Sequence, residues 1–178
     1  MINHAIPVLG FAAFSGTGKT TLLEQLIPLL KQAGIRVALI KHAHHDVDVD
    51  TPGKDTWRLR HAGANPVLLA TRKRWALMGE EEDDYEDPQL ARIVTQLNPA
   101  IFNLILVEGF KHEAIQKIEL HRQTLNKPYI YPEDPLIIAL AHDSTHIEKL
   151  NIPQLDLNKA DGFVTFIQQW LSQRENYE

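Results

Sequence analysis

The sequence predicts an α/β fold of three layers, built on a mostly parallel central sheet with some antiparallel additions. Three observations carry that expectation. An apolar run, 6–12, leads through a glycine-bearing loop into a helical pattern over 20–33. A second apolar run, 36–41, follows Gly34, and strand, helix and strand of these lengths make a parallel unit with a right-handed crossover. A third run, 103–109, holds four consecutive apolar residues, Leu104-Ile105-Leu106-Val107, as a strand covered on both faces does.

Each element has its own reason. In the first helix Leu22, Leu23, Leu26, Ile27, Leu29 and Leu30 recur at helical spacing. Pro28 inside it is expected to kink it, and Gly34 supplies a stop. Thr51-Pro52-Gly53-Lys54 turns into a short helix, Asp55–His61, ending near Gly63. Short strands are expected over 66–70 and Trp75–Met78, joined by the basic turn Thr71-Arg72-Lys73-Arg74. The acidic run 80–87 reads as a surface loop. A helix over 88–97 places Leu90, Ile93, Val94 and Leu97 on one side. Further strands are expected at Lys117–His121, 136–141 and 152–157, and a closing helix at 161–173. Residues 122–135, with Pro128, Pro132 and Pro135, read as a loop, a candidate ligand lid or subunit contact.

Composition narrows the functions. The 178 residues suit a single nucleotide-binding domain, 1–178, with a real core. A net charge of -5 argues against a general nucleic-acid or anionic-membrane binder. The absence of cysteine removes disulfides, Cys-ligated zinc, iron–sulfur clusters and thiol catalysis. Met1-Ile2-Asn3-His4 opens no charged-then-apolar leader and no apolar run would span a bilayer, so a cytoplasmic location is expected.

The chemistry gathers at Ala13-Phe14-Ser15-Gly16-Thr17-Gly18-Lys19-Thr20-Thr21. A strand, a glycine-bearing loop and Lys-Thr at the first turn of a helix form the phosphate-cradling P-loop. Backbone N–H groups from Ser15 through Gly16, Thr17 and Gly18 make a concave anion site, to which the helix adds its positive end. Lys19 reaches the β- and γ-phosphates, the Thr20 hydroxyl ligates Mg²⁺, and Thr21 faces the α-phosphate. Ala13 replaces the first glycine of the usual pattern, a change that a strand end with negative φ accommodates. Glu108 ends the third apolar run where such proteins place an acid near Mg²⁺. It would ligate the ion, hold a metal-bound water or orient an attacking water, which makes Lys19 and Glu108 the catalytic candidates.

Two further stretches carry weaker signals. His42-Ala43-His44-His45-Asp46-Val47-Asp48-Val49-Asp50 follows the second strand. It lacks the glycine and glutamate of a calcium loop. A transition-metal site of His42, His44 and His45 and a solvated loop are alternatives to a switch-like loop whose Asp46 holds Mg²⁺ through water. For the base, Asp143 after a strong strand competes with Asn158-Lys159-Ala160-Asp161; Asp143 is preferred. Arg58, Arg60 and an arginine supplied by a partner are the candidates for extra positive charge on the transferring group. These residues indicate a nucleoside triphosphate and leave its base open. A P-loop small-molecule kinase is the competing reading.

With both landmarks placed, the chain resembles the molybdopterin-guanine dinucleotide biosynthesis adapter family. The resemblance rests on segments 11–23 (FAAFSGTGKTTLL), 39–55 (LIKHAHHDVDVDTPGKD), 74–78 (RWALM) and 104–113 (LILVEGFKHE). Ala13 and Glu108 agree with that family where they depart from the generic pattern. The resemblance implies a protein of molybdenum cofactor biosynthesis that binds GTP with Mg²⁺ and hydrolyses it slowly. It also implies a homodimer, a guanylyltransferase partner, and molybdopterin or its guanine dinucleotide as the molecule served. Gly16 to Thr21 carry over as phosphate-binding, Thr20 and Glu108 as metal-proximal.

Overall fold

Six strands form one sheet in which every neighbouring pair runs parallel, in the order β2-β5-β1-β6-β7-β8. They are β1 (Val8–Ala12), β2 (Val37–Lys41), β5 (Leu104–Glu108), β6 (Lys117–His121), β7 (Ile137–His142) and β8 (Gln154–Asp156). Helices α1 (Lys19–Gln32), α3 (Leu90–Val94) and α4 (Ala160–Glu175) complete this part. The structure, a computed structural model, describes residues 5–43, 47, 49–80, 88–144 and 150–175. Met1–His42 with Gln89–Glu178 make one compact unit and Ala43–Pro88 a second. The second unit holds α2 (Asp55–His61) and the antiparallel ribbon of β3 (Val67–Ala70) and β4 (Trp75–Met78). The expected antiparallel addition is therefore a separate ribbon, and the main sheet is wholly parallel.

Parity along the strands decides the layers, because alternate side chains point to opposite faces. Leu9, Phe11, Leu104, Leu106, Ile118, Leu120, Ala139 and Ala141 pack against Leu22, Leu23, Leu26 and Leu30 of α1 and Phe163, Ile167 and Trp170 of α4. Val8, Ala38, Ile40, Ile105 and Val107 form the opposite core with Leu90 and Val94 of α3. Glu108, two residues beyond Leu106, shares the face covered by α1.

Helix α1 runs unbroken through Pro28 and closes as expected at Gly34. The Gly34 N–H donates to the Lys31 carbonyl at 3.1 Å and the Ile35 N–H to the Leu30 carbonyl at 2.9 Å, the paired bonds of a glycine-terminated helix. Helix α3 is shorter than the 88–97 expected. Beyond Val94 the Gln96 and Leu97 N–H groups bond three residues back, to Ile93 and Val94. The Thr95 hydroxyl meanwhile donates to the Arg92 carbonyl at 2.7 Å, so the last turn tightens out of α geometry. Strand β8 keeps three residues of the 152–157 expected.

The proline-rich loop 122–135 contains a 3-10 turn, Gln123–Leu125, and it is pinned rather than free. The buried Glu119 carboxylate accepts the Ile130 N–H at 2.8 Å and the Tyr131 N–H at 2.7 Å. Lys117, also buried, pairs with Asp134 at 3.0 Å.

Candidate functional site

The P-loop leaves the carboxyl end of β1, at the centre of the sheet, and feeds α1. In open α/β sheets that edge is where ligands bind. Gly16 and Gly18 take positive φ, 81° and 100°. Gly18 is the N-cap of α1 and brings no side-chain acceptor, so among the described residues the first N–H groups of the helix have no intrahelical or capping partner. The Thr17 side chain is buried and its hydroxyl donates to the Phe14 carbonyl at 2.8 Å; it shapes the loop from within. Ser15, Thr20 and Thr21 are exposed, and among the described residues the Thr20 and Thr21 hydroxyls have no partner.

Lys19 folds back over its own loop. Its ammonium donates to the carbonyls of Ala13 at 3.1 Å and Phe14 at 3.3 Å. Burial draws this ammonium below its ordinary value, the Glu108 carboxylate pushes it back up, and Lys41 lowers it further. Lys19, Lys41 and Glu108 therefore share one electrostatic neighbourhood. Glu108 is buried and lies 3.4 Å from the Lys41 ammonium, because Lys41 and Glu108 are in register on adjacent strands. Sequence reasoning missed Lys41. Its signal was present: a charged residue closing a buried strand beside the strand that ends in Glu108.

Gly109 explains the Val-Glu-Gly sequence. Its φ is 96°, and a Cβ there would stand 2.8 Å from the His42 Cβ and 3.2 Å from the His42 carbonyl oxygen. The close approach fixes His42, whose N–H donates to the Glu108 carbonyl at 2.8 Å and whose ring lies 5.1 Å from that of Phe110. His44, His45 and Asp46 fall outside the described residues. Among those described, no three His, Asp or Glu side chains form a ready metal cage, and no helix is long and apolar enough to cross a membrane.

Asp143, the expected base-side residue, follows β7. One carboxylate oxygen accepts from Arg122 Nη1 at 3.1 Å and the other from the Gln123 N–H at 2.8 Å. Arg122, which sequence reasoning also missed, donates from Nε to the Thr17 carbonyl at 3.0 Å. Asn158-Lys159-Ala160-Asp161 lies at the start of α4. There the Asn158 N–H and the Lys159 ammonium are both held by Asp156. Arg60, in the second unit, pairs with Asp50 at 2.9 Å and also with Glu80.

Residues 8–143 match the family described as MobB, molybdopterin guanine dinucleotide synthesis protein B. The molybdopterin-guanine dinucleotide biosynthesis adapter protein of Escherichia coli (strain K12) is 47% identical over 172 residues, 96% of each chain. The chain belongs to the MobB family. A second relative of the same name, from Haemophilus influenzae, is 44% identical over 171 residues, 96% of this chain and 92% of that one. The matched segment begins with the first residue of β1 and ends on Asp143, so it takes in the P-loop, Lys41, Glu108 and Arg122. Two solved MobB structures share the fold. A crystal structure of molybdopterin-guanine biosynthesis protein B superposes with a TM-score of 0.69 at 22% identity, covering 92% of this chain and 99% of that one. Bacillus subtilis MobB gives 0.67 at 20%, covering 92% and 97%.

Proposed function

We propose that this MobB-family chain is a GTP-binding adapter of molybdopterin guanine dinucleotide biosynthesis, with at most a weak Mg²⁺-dependent GTPase activity. One observation carries the reading. The open N–H groups at the start of α1, the Lys19 ammonium and the Glu108 carboxylate belong to one face and one edge of the sheet. That arrangement suits a polyphosphate and its counter-ion.

The donors also suit magnesium. A hydroxyl at Thr20 and a carboxylate at Glu108 are hard oxygen ligands, of the kind Mg²⁺ takes while keeping several waters. When bound, the ion neutralises charge on the terminal phosphates. The chain's own share is to cradle the phosphates with the amides of Gly16 to Thr21 and to hold Lys19 against them. Asp143 is proposed on the nucleoside side, where each oxygen keeps a second lone pair beside the bonds it already makes.

Slow turnover fits the same site. Arg60, an expected source of transition-state charge, is committed to Asp50 and Glu80. With Arg60 held elsewhere, transition-state charge has to come from Arg58 or a partner, and without such a group and a positioned water hydrolysis is slow. A guanylyltransferase is the proposed partner, molybdopterin or its guanine dinucleotide the molecule served, and a homodimer the proposed assembly.

Titration with a fluorescent GTP analogue tests the reading. Lys19→Ala is expected to weaken binding at least tenfold, since it removes a charge-assisted contact of about 1.5–3 kcal/mol. Equal affinity for wild type and Lys19→Ala would leave the loop without this role. Pull-down of the guanylyltransferase with and without GTP tests the adapter half.

A further inference from the structure

The guanidinium of Arg122 joins parts of the molecule far apart in sequence. Its Nε donates to the Thr17 carbonyl, 105 positions earlier, and its Nη1 to Asp143, 21 positions later. Its Nη2 lies 3.4 Å from where a Cβ on Gly18 would stand. The turn that follows Arg122 packs along the same loop. Leu125 comes within 3.8 Å of a Cβ placed on Gly16, and the Lys127 ammonium lies 5.8 Å from the centre of the Phe14 ring.

The bond to Thr17 has a geometric consequence. In a trans peptide the carbonyl and the next N–H point in opposite directions. Anchoring the Thr17 carbonyl on Arg122 therefore turns the Gly18 N–H away from Arg122. Among the described residues that N–H has no partner, while the Gly18 carbonyl is taken by the Leu22 N–H at 2.9 Å. Gly18 has φ 100° and no side chain to resist rotation of this peptide, so its orientation needs an external anchor.

We propose that Arg122, itself held by Asp143, is a positioning residue for the nucleotide phosphates: it sets the Thr17–Gly18 peptide so that the Gly18 N–H faces the phosphate chain. The proposal rests on the GTP-binding reading above. It gives Asp143 a role exerted through Arg122, and it ties the loops after β6 and β7 to the phosphate cradle.

The test is a double-mutant cycle on the full chain, read with a fluorescent GTP analogue and with inorganic tripolyphosphate as competitor. Arg122→Ala is expected to weaken both ligands about tenfold, the scale of one hydrogen bond to a charged group. Asp143→Asn is expected to weaken tripolyphosphate about threefold and GTP at least as much, since Asp143 is also proposed to meet the nucleoside. The double variant is expected to bind tripolyphosphate no more weakly than Arg122→Ala, because groups acting through one another are not additive; GTP, whose nucleoside Asp143 is proposed to meet directly, does not decide this arm. In the ligand-free protein, hydrogen exchange at the Gly18 amide is expected to change in Arg122→Ala while melting stays within a few degrees. Arg122→Lys, which keeps the charge but reaches one acceptor, is expected to show an intermediate loss and serves if the alanine variant does not fold. Arg122→Ala and Arg122→Lys within twofold of wild type would overturn the proposal. So would a full threefold effect of Asp143→Asn on tripolyphosphate in the Arg122→Ala background, or an Arg122→Ala loss confined to GTP with tripolyphosphate unchanged. If wild type and Lys19→Ala titrate alike, the GTP reading fails and the proposal falls with it, an outcome distinct from the others.

Discussion

Glu108 pairs with the Lys41 ammonium at 3.4 Å and raises the Lys19 ammonium electrostatically, and under the proposed function its contribution to nucleotide binding is expected to change sign with magnesium. Without the ion, its carboxylate repels a triphosphate that approaches Lys19. With the ion, in the role proposed above, it would hold the metal or a metal-bound water. Glu108→Gln keeps the side-chain volume and removes the charge. It is expected to raise the Mg²⁺ concentration needed for half-maximal GTP binding by about 10–100-fold, the usual range for losing a group that supports a metal. In EDTA the same variant is expected to bind GTP as well as wild type or better. Titrations with and without Mg²⁺ decide it, and parallel losses in both would deny Glu108 any dealing with the ion. Gly109 belongs to the same scale: Gly109→Ala forces a side chain to φ 96° and against the His42 Cβ. It is expected to cost about 1–3 kcal/mol in denaturant unfolding. The loop glycines and Glu108 were legible because local sequence sets them, an apolar strand followed by a tight turn. Arg122 was not, because the carbonyl it serves is contributed from 105 positions away and nothing near Arg122 in sequence marks that partner.

At the scale of elements, burial and hydrogen bonding set the loop 122–135 more than its prolines do. Read along the sequence, that segment is a polar connection suited to a lid. In the fold, the Glu119 carboxylate beneath it takes two of its N–H groups, a bond no periodicity announces. The long strands and α1 were legible because their apolar spacing is strong. α3 and β8 shrank because side-chain hydrogen bonding and Pro153 compete at their ends. Burial raises the Glu119 carboxyl above its ordinary 4.5, with the Ile130 and Tyr131 N–H groups and His121 pulling it back. A carboxyl raised in the fold adds stability below its unfolded value, and that stability is lost as pH rises through the folded value. Glu119→Gln removes the titration and one of the two acceptors. It is expected to destabilise the protein by about 1–3 kcal/mol, with the gap to wild type widest near pH 4 and narrower at pH 7. Thermal melts across that range test it; a gap that widens towards neutral pH would reverse the assigned sign.

For the whole molecule, the ribbon of β3 and β4 presents a face that its own unit leaves uncovered. Leu68 pairs with Leu77 and Ala70 with Trp75, so these four side chains share one face. Leu68 is 60% exposed and Trp75 64%. A two-stranded ribbon is marginal by itself, and an apolar face of this kind on a chain of net charge -5 suits the contact of the proposed homodimer. The partner expected here is a second copy, because in sequence a basic turn, 71–74, joins the two strands and an acidic run, 80–87, follows them, opposite charges that two copies would be able to exchange. Under two-fold symmetry every contact occurs twice. Trp75→Glu would remove two buried indoles and set two carboxylates within the interface. At about 1.5–3 kcal/mol for each large apolar side chain, the dimer dissociation constant is expected to rise at least a hundredfold. Light scattering at micromolar concentration should then find wild type dimeric and Trp75→Glu monomeric. GTP binding is expected to survive the change, because the P-loop, Lys19, Glu108 and Arg122 all belong to the other unit. A monomeric wild type, or a variant that remains dimeric, would remove the ribbon as the contact. Loss of GTP binding together with the dimer would instead mean that the phosphate site depends on the second copy.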